Sequence, residues 1–459
     1  MTSGGDKNIV IVGGGVAGLF TALRFLDRGY NPIIVDQADA PAKFWRSYEC
    51  ETPVGRQTFD KGLRILMTSG RENVDALYYD AFKTLDWREV NTFINEGAVF
   101  NGALYKENSC IDVRSLGDDI CAAIISELRE RGRCDAPDCP NALEKIETDY
   151  GPTLRAHVFE PVLKRYFGRP LEDLAPNAHR LLIPKRFIVA SEDIETLREK
   201  NDLASKVAHL SVRGMKDPFG RRFLYPSRGS GEWIDAMTSA ILERGGKFLL
   251  NRSIASLEVT KGAVDRLDFT EGDGIDVSHL FWTAPPALFL KAAGVSLAGA
   301  PPEFLSITTA NIILDRPLPH DLIYIADYDV HGSFYRTMFY SNFRKAERTP
   351  ETPAIAIELI GEVGEDFEAK TEKALSQLRR MGGVQDSATP LFIDYVNHKN
   401  ALPRPTVQFQ KNAGNAQAKA RDLFDNVAFA GRASGAAIFL DSVASTSYEA
   451  VDDAIESWF

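Results

Sequence analysis

The chain has 459 residues, of which 44% are hydrophobic and 25% are charged. That usage is typical of globular proteins, it is enough for two or three domains, and it excludes disordered, collagen-like and coiled-coil chains. Lysine and arginine total 53 against 64 for aspartate and glutamate, so the formal net charge is −11. This balance disfavours a general nucleic-acid binder but is compatible with local basic pockets for an anionic ligand.

No stretch of the sequence has the pattern of a membrane span or a secretory signal. The longest apolar stretch, residues 9–26, is interrupted by glycines, Thr21 and Arg24, whereas a spanning helix needs about 20 mainly apolar residues. The N-terminus lacks a basic region followed by an uninterrupted apolar run. We therefore expect no transmembrane segment, and a cytoplasmic location is the default expectation.

Five cysteines at irregular spacing fit reduced thiols better than a disulfide framework. Cys134 and Cys139 are compatible with a metal half-site or a disulfide loop. A polar turn is the preferred interpretation because no second Cys/His pair lies near them, and we expect no metal site.

The strongest local signal lies near the N-terminus. A β-branched strand pattern precedes residues 13–18, which read GGGVAG, and an amphipathic helix pattern follows them. In such a unit Gly13 permits a tight turn, Gly15 lets the backbone approach a pyrophosphate, and Gly18 lets the helix pack on the strand. The phosphates would bind the free N–H groups of the helix N-terminus. The pattern predicts a dinucleotide-binding unit.

A second strand pattern, residues 31–36, ends in Asp36. A carboxylate at this place can accept hydrogen bonds from ribose hydroxyls and would repel a 2′-phosphate. NADP is therefore disfavoured, while FAD and NAD both remain open on these residues alone. The alternative is a glycine-rich turn without function, against which the flanking strand, helix and Asp36 argue.

Several later segments share motifs with one group of proteins. They read WRS at residues 45–47, FDKGLR at 59–64, YPSRGSGEW at 225–233, LFWTAPP at 280–286 and NVAFAGRAS at 426–434. These motifs resemble the flavoprotein superfamily of amine oxidases, protoporphyrinogen oxidases, phytoene desaturases and UDP-galactopyranose mutases. The site of that superfamily needs both chain ends to meet on one ligand, so the resemblance implies FAD rather than NAD.

The resemblance implies an α/β fold with a discontinuous Rossmann-like FAD-binding domain interleaved with an α+β substrate domain that carries a helical insertion. The FAD-binding domain is expected to comprise residues 1–75, 220–290 and 405–459. The substrate domain is expected to comprise residues 76–219 and 291–404.

The resemblance also implies the residues around the cofactor. Ile254 is expected beside the adenine, Gly431 and Arg432 beside the ribityl chain and pyrophosphate, and the next helix N-terminus at the N1/O2 edge of the flavin. That helix end places positive potential where a reduced flavin carries negative charge. The full expected cofactor set is Gly13, Gly15, Val16, Ala17, Gly18, Asp36, Gln37, Arg46, Gly62, Leu63, Ile254, Gly431, Arg432, Asp441, Ser442 and Val443.

Helix patterns cover residues 115–131 and 141–167 within the expected insertion. Farther along, residues 310–315 and 322–327 have strand patterns and are expected to be neighbours, with a third strand at residues 333–342.

Four residues are candidates for substrate contacts by resemblance to the mutase branch or its relatives: Arg180, Arg186, Tyr225 and Arg336. Arginines suit anionic groups because their guanidinium can make bidentate hydrogen bonds. The alternative for Arg180 and Arg186 is a surface loop with two solvated charges, and for Arg336 an ordinary strand arginine. The expected partner is a small-molecule substrate, anionic if these arginines contact it, and a homodimer stays open.

The sequence assigns no catalytic residue, because the histidines are scattered and no hydrolase motif occurs. In flavoenzymes the cofactor itself supplies the hard chemistry. A redox enzyme that takes a hydride from a C–N or C–C bond is the first hypothesis. A non-redox, mutase-like enzyme for a nucleotide-activated sugar is the second, supported by NGALY at residues 101–105 and FEP at 159–161. The tyrosines that follow Gly-Arg in true mutases are missing at residues 433–439, and a flavin-bearing protein without enzymatic role is a third class.

Replacing Gly15 with valine would place a side chain in the space expected for the pyrophosphate. We expect the Gly15→Val protein to lose retention of FAD, measured by flavin absorbance after purification. Full FAD occupancy in this variant would contradict the assignment of the glycine-rich turn.

Overall fold

A computed structural model describes residues 8–91, 93–131, 139–190, 194–200, 203–296, 302–344, 351–362, 364–434 and 439–459. In chain order its strands are Ile9–Val12 (β1), Ile33–Val35 (β2), Ser47–Thr52 (β3), Gly55–Asp60 (β4), Leu66–Met67 (β5), Trp87–Val90 (β6), Glu96–Phe100 (β7), Ala103–Tyr105 (β8), Ile111–Asp112 (β9), Phe187–Ile188 (β10), Phe223–Pro226 (β11), Lys247–Leu249 (β12), Ile254–Thr260 (β13), Ala263–Phe269 (β14), Ile275–Asp276 (β15), His279–Trp282 (β16), Phe304–Leu314 (β17), Tyr324–Asp327 (β18), Arg336–Phe339 (β19), Ala354–Gly361 (β20), Pro390–Pro403 (β21) and Val427–Phe429 (β22).

The α-helices in chain order are Val16–Asp27 (α1), Glu72–Asp75 (α2), Asp118–Arg131 (α3), Ala142–Tyr150 (α4), Pro152–Leu154 (α5), Glu160–Phe167 (α6), Ile194–Lys200 (α7), Gly231–Glu243 (α8), Pro286–Ala292 (α9), Tyr340–Phe343 (α10), Phe367–Arg380 (α11), Val407–Leu423 (α12) and Leu440–Trp458 (α13). Short 3₁₀ helices occupy Lys43–Trp45, Val113–Leu116, Leu171–Asp173, Ala178–Leu181 and Gly431–Ser434, and π-helical turns occupy Ala76–Asp80 and Arg155–Phe159.

A parallel sheet in the order β12-β2-β1-β16-β22 forms the centre of the first domain. Its middle strand β1 consists of four β-branched residues that are all buried, as expected for a parallel strand covered on both faces. The strands come from three distant stretches of the chain, so the nucleotide-binding unit is discontinuous and Rossmann-like.

Two layers cover this sheet. Helices α1, α8 and α13 pack on one face through residues such as Phe20, Trp233 and Val451. Helices α9 and α12, together with the antiparallel meander β13-β14-β15, pack on the other face through residues such as Phe289 and Ala420. The sheet therefore has a buried core on each side.

Close packing of α1 on the glycine-rich turn depends on Gly18. A Cβ atom at Gly18 would lie 1.9 Å from the carbonyl oxygen of Gly13. Gly13 itself has φ +102°, which favours glycine, and a Cβ there would lie 2.3 Å from Oγ1 of Thr283. These two glycines bring the first turn of α1 directly against the end of β1.

The second domain is built on a mixed sheet in the order β21-β17-β20-β19-β18-β7-β8. The expectation that residues 310–315 and 322–327 form neighbouring strands is wrong, because β20 and β19 lie between β17 and β18. The long strand β17 pairs along its length with β20 and β21, and the shorter β18 pairs with β19 and β7. Helix α11 covers one face of the sheet.

The expected helical insertion is present, but the helix expected at residues 141–167 is interrupted. Gly151 has φ +94° and separates α4 from α5, and a π-helical turn then joins α5 to α6. The insertion packs its buried side chains against Phe100 and Ala326 of the seven-stranded sheet.

Two elements lie across the expected domain boundary at residue 75. Tyr78 and Tyr79 are buried in the core formed by α1, α8 and α13. Strand β6, which is expected in the substrate domain, pairs with β11, which follows the second expected boundary at residue 219 and belongs to the expected FAD-binding domain.

Within the described ranges, no helix combines the length and apolarity needed to cross a lipid bilayer. Cys50, Cys110, Cys121 and Cys139 are free thiols, while Cys134 lies outside the described residues.

A methyl group at Gly18 should destabilise the fold because it meets backbone rather than a movable side chain. We expect Gly18→Ala to lower the free energy of unfolding by about 1–3 kcal/mol, measured by urea denaturation. The matched control is Gly414→Ala in α12, where a Cβ meets no atom within 4 Å. That control should raise the free energy of unfolding by about 0.5–1 kcal/mol, and equal losses in both variants would contradict the packing argument.

Candidate functional site

The glycine-rich turn holds the carboxylate of Asp36 in place. The N–H of Gly14 donates to Oδ2 of Asp36 at 2.5 Å, and the N–H of Ala38 donates to Oδ1 at 2.7 Å. Ile254 begins β13 close to this point, because the N–H of Arg252 donates to the carbonyl of Asp36 at 3.0 Å. Gln37 is exposed beside it.

The N-terminus of α1 faces open space. A Cβ atom built at Gly15 meets no atom within 4 Å, although Gly13 and Gly18 on either side are tightly packed. The first turn of α1 contains no acidic residue, so its N–H groups and helix dipole are not offset by a carboxylate of that turn. This space suits a phosphate group on the helix end.

The C-terminal part of the chain meets the same helix end. Gly431 follows β22 with φ +64°, and a Cβ at this position would lie 2.5 Å from Cβ of Ala17 and 3.9 Å from Cγ1 of Val443. The side chain of Ser442 caps α13, since its hydroxyl accepts from the N–H of Phe439 at 3.2 Å. The segments near residues 15 and 431 therefore lie side by side at the N-terminus of α1.

A chain of contacts leads from the glycine-rich turn to the second domain. The N–H of Ala42 donates to the carbonyl of Gly14 at 2.7 Å. The neighbouring carbonyl of Phe44 accepts from Nη2 of Arg64 at 3.1 Å, and the Arg64 guanidinium lies 4.8 Å from the Trp45 ring centroid.

The chain of contacts continues through a buried carboxylate of β20. Glu358 is 2% exposed and accepts from the N–H of Leu63 at 2.8 Å through Oε1. Its Oε2 accepts from Nε of Arg336 at 2.5 Å. Arg336 in turn acts electrostatically on Arg432, which follows Gly431.

These contacts return to the starting point, because Gly431 packs on Ala17 in the first turn of α1. We call the region where the following segments approach one another the cleft: residues 13–17, residues 42–46, residues 61–64, Arg336 with Glu358, and Gly431 with Arg432. Segments that are distant in sequence are thus brought together between the two domains.

The electrostatics of the cleft are dominated by cations. Burial alone would raise the pKa of Glu358, but the Arg336 and Arg64 cations hold it below its ordinary value. Burial disfavours the charged form of Arg336, yet Glu358 raises the pKa of Arg336. Desolvation, and then the nearby Arg336 cation, lower the pKa of Arg432. The cleft therefore combines the Glu358 carboxylate with guanidinium groups that include those of Arg64, Arg336 and Arg432.

His398 of β21 also reaches this region. Its Nε2 contacts the carbonyl oxygen of Lys61, and its ring packs edge-on against Phe44, which is 59% exposed. Burial lowers the pKa of His398, which favours the neutral imidazole.

The side chain of Tyr225 is enclosed by the protein. Its side chain is 0% exposed, and its hydroxyl donates to Oδ2 of Asp60 at 2.6 Å and accepts from Nη2 of Arg344 at 3.3 Å. Tyr225 is thus buried and hydrogen-bonded within the protein, and a substrate contact at this residue stays a prediction.

Four further expected site residues have the following partners in the structure. Arg46 pairs with Asp235 of α8, and Gly62 packs closely against the Arg64 side chain. Asp441 lies in the first turn of α13 and pairs with Arg221 at 3.4 Å. Arg186 is half-buried beside Cys110 rather than beside Arg336.

Arg180 is half-buried in the short 3₁₀ helix Ala178–Leu181 of the insertion. Arg336 lies on the cleft, half-exposed, with its guanidinium 5.0 Å from the Tyr335 ring centroid.

Sequence reasoning missed Glu358, His398 and the role of Arg64. A signal for Glu358 exists, since it is the only charged residue in the otherwise apolar strand β20. No such local signal marks His398, whose place depends on the pairing of β21. Residues 435–438, part of the stretch without the mutase tyrosines, lie outside the described residues, and no metal-binding cluster occurs among the residues that are described.

A comparison with protein families agrees with the Rossmann-like unit at the N-terminus. The family described as "NAD(P)-binding Rossmann-like domain" matches residues 11–81. No curated protein matches the chain.

Solved structures share the fold over nearly the whole chain. A reduced UDP-galactopyranose mutase has a TM-score of 0.73 at 15% identity and covers 98% of this chain and 96% of its own. A putative protoporphyrinogen oxidase from Exiguobacterium sp. 255-15 has a TM-score of 0.66 at 15% identity, covering 98% and 99%. Cyclohexylamine oxidase from Brevibacterium oxydans IH-35A has a TM-score of 0.63 at 13% identity, again covering 98% and 99%. The chain thus has the fold of these proteins, as the sequence motifs predict.

Removing the Tyr225 hydroxyl should affect stability, because it leaves a buried Asp60 oxygen without its donor. We expect Tyr225→Phe to lower the free energy of unfolding by about 1–3 kcal/mol in urea denaturation. Tyr30→Phe is the matched control, since the Tyr30 hydroxyl makes no hydrogen bond among the described residues. An unchanged unfolding free energy for Tyr225→Phe would contradict the structural role.

Proposed function

We propose that this chain is an FAD-dependent oxidoreductase that transfers a hydride from a small-molecule substrate to the flavin. The observation that carries the proposal is the packing of Gly431 against Ala17, which joins the C-terminal segment to the phosphate-binding helix end. A site for NAD alone would need only the N-terminal unit. The names of similar structures, among them a protoporphyrinogen oxidase and an amine oxidase, support the same class.

The residues present fit FAD. The fixed carboxylate of Asp36 would accept hydrogen bonds from the ribose, and the open space at Gly15 would take the pyrophosphate on the N–H groups of α1. Gly431 would lie against the far side of that group. When bound, FAD would supply the hydride acceptor, while the protein contributes orientation and electrostatics.

The charge of the cleft favours an anionic substrate. The Arg336 guanidinium makes only its Glu358 hydrogen bond among the described residues and is partly exposed. Arg432 is close enough to Arg336 for that cation to lower its pKa. Guanidinium groups in such positions can bind carboxylate or phosphate groups of a substrate.

A mutase-like reaction on a nucleotide-activated sugar is the second candidate. It is favoured by the same cations, which suit a diphosphate, and by similarity to a UDP-galactopyranose mutase structure. The absence of tyrosines at residues 433–439 argues against that enzyme itself. The redox reaction therefore stays the first candidate.

The reaction is tested with the full chain reconstituted with FAD. Oxidised enzyme is mixed anaerobically with amines, unsaturated compounds or sugar nucleotides while flavin absorbance is followed. Bleaching of the oxidised flavin by a compound supports the oxidoreductase. Product formation only by the reduced enzyme, without net use of electrons, supports the mutase-like alternative. Bound FAD with neither result favours a flavin-bearing protein without enzymatic role, and failure to take up FAD refutes all three.

The cofactor site is tested separately through Asp36. We expect Asp36→Ala to weaken FAD binding by about 1–3 kcal/mol, measured by calorimetry, because hydrogen bonds to a charged carboxylate are lost. Asp39→Ala is the control, because Asp39 is an exposed carboxylate whose only ion pair among the described residues is with Lys43 at 3.0 Å. Equal FAD affinity of Asp36→Ala and the wild type would remove Asp36 from the site.

A further inference from the structure

Glu358 occupies an unusual place for a carboxylate. It lies in β20, where the other residues are apolar or glycine, and its side chain is 2% exposed. The strand register places it directly opposite Arg336 on β19 and Thr309 on β17. A buried carboxylate in the middle of a sheet is costly unless it is fully hydrogen-bonded.

Each oxygen of Glu358 binds a different segment. Oε1 accepts from the main-chain N–H of Leu63 at 2.8 Å, and Oε2 accepts from Nε of Arg336 at 2.5 Å. Leu63 belongs to the segment that borders the cleft from the first domain, whereas Arg336 borders it from the second. One side chain therefore fixes the distance between the two borders.

The main-chain contact depends on an acceptor oxygen at residue 358. Leu63 is buried, so its N–H has no access to water if Glu358 is removed. Arg64 follows directly, and its guanidinium is held by the carbonyls of Leu63 and Phe44. A shift of the Leu63 amide would therefore move the Arg64 cation as well.

The charge of Glu358 is as important as its geometry. The residues that act on it electrostatically include Arg336 and Arg64, so it offsets two cations of the cleft. A negative charge at this border also opposes any gain of negative charge by a ligand in the cleft. Reduced flavin carries more negative charge than oxidised flavin.

We propose that Glu358 is a positioning residue of the cofactor site, which holds the Leu63–Arg64 segment and Arg336 around bound FAD and lowers the reduction potential of the flavin. This inference rests on the proposed function, because its effect is observed on FAD. Glu358 acts through Leu63, Arg64 and Arg336 and needs no contact with the reacting atoms.

The charge is tested with Glu358→Gln. The amide keeps an oxygen that can accept from the Leu63 N–H but removes the negative charge. We expect the midpoint reduction potential of bound FAD, measured by dye equilibration, to become more positive than in the wild type. The absorbance spectrum of the bound flavin should also shift, because the Arg336 cation is no longer neutralised.

The geometry is tested with Glu358→Asp. Aspartate keeps the charge but is one methylene shorter, so it cannot reach Leu63 and Arg336 together. We expect about tenfold weaker FAD binding, which corresponds to about 1.4 kcal/mol, with a midpoint potential near that of the wild type. Glu358→Gln thus removes the charge and the Arg336 hydrogen bond while keeping the Leu63 contact, and Glu358→Asp keeps the charge while changing the position.

The matched control is Asp327→Asn on β18 of the same sheet. Asp327 is also fully buried and pairs with a guanidinium, that of Arg165, at 3.2 Å. Among the described residues, its side-chain hydrogen bonds go to Arg165, Gln377 and the main-chain N–H groups of Asp329 and Phe334, not to the segments that border the cleft. Its replacement should lower the free energy of unfolding and leave both FAD affinity and midpoint potential unchanged.

The outcomes distinguish this inference from the proposed function. Wild-type FAD affinity and potential in both Glu358 variants would overturn the role of Glu358 and leave the flavoenzyme proposal intact. The same holds if Asp327→Asn shifts the potential as much as Glu358→Gln, because the effect would then be general loss of packing. Failure of the wild-type chain to bind FAD would overturn both.

Discussion

The buried residue Asp60 is the point at which the two domains are joined. Its Oδ1 accepts from the Ser47 hydroxyl at 2.5 Å and from the Ser230 N–H at 3.0 Å, and its Oδ2 accepts from the Tyr225 hydroxyl. Its main-chain carbonyl accepts from Asn311 of the seven-stranded sheet at 3.1 Å. A buried carboxylate without a paired cation is tolerated only when such donors surround it, so losing one donor leaves a costly unsatisfied oxygen.

The position of the cleft follows from this junction. Residues 61–64 begin directly after Asp60, and they carry the Leu63 N–H and the Arg64 guanidinium to the border of the cleft. Glu358 then fixes that segment to β20. The two buried carboxylates therefore hold the same segment at two points. Asp60 is fixed immediately before residues 61–64, and Glu358 binds the N–H of Leu63 within them. The geometry of the cleft depends on contacts between domains rather than on either domain alone.

The sequence predicts the parts of the fold that depend on local chemistry. Gly13, Gly18 and Asp36 have roles that follow from backbone freedom and the end of a strand, and the structure brings Gly18 and Asp36 against the glycine-rich turn. The order of strands β17 and β18 was not predictable in this way, because it depends on pairing with β19 and β20. The break at Gly151 was missed because the apolar periodicity continues on both sides of it.

The same distinction between local motif and tertiary packing applies to the candidate site residues. Gly431 was found because a Gly-Arg pair after a strand is a recognisable motif, whereas Glu358 and His398 become site residues only when β20 and β21 take their places in the sheet. Tyr225 is a different case. The resemblance makes it a candidate for a substrate contact, which stays a prediction, while in the structure its ring is buried and its hydroxyl binds Asp60. A motif identifies a segment, and only tertiary packing decides which way each side chain of that segment is directed.

The charge of the cleft runs against that of the whole chain, whose net charge is −11. Arg64 and Arg336 act on the Glu358 carboxylate, Arg336 also acts on Arg432, and burial lowers the pKa of Arg64. Bringing like charges together in a partly desolvated space costs free energy in the empty protein. An anionic group that binds there gains this free energy back, so ligand binding and stability are coupled. This coupling is the physical argument for the anionic substrate that we propose.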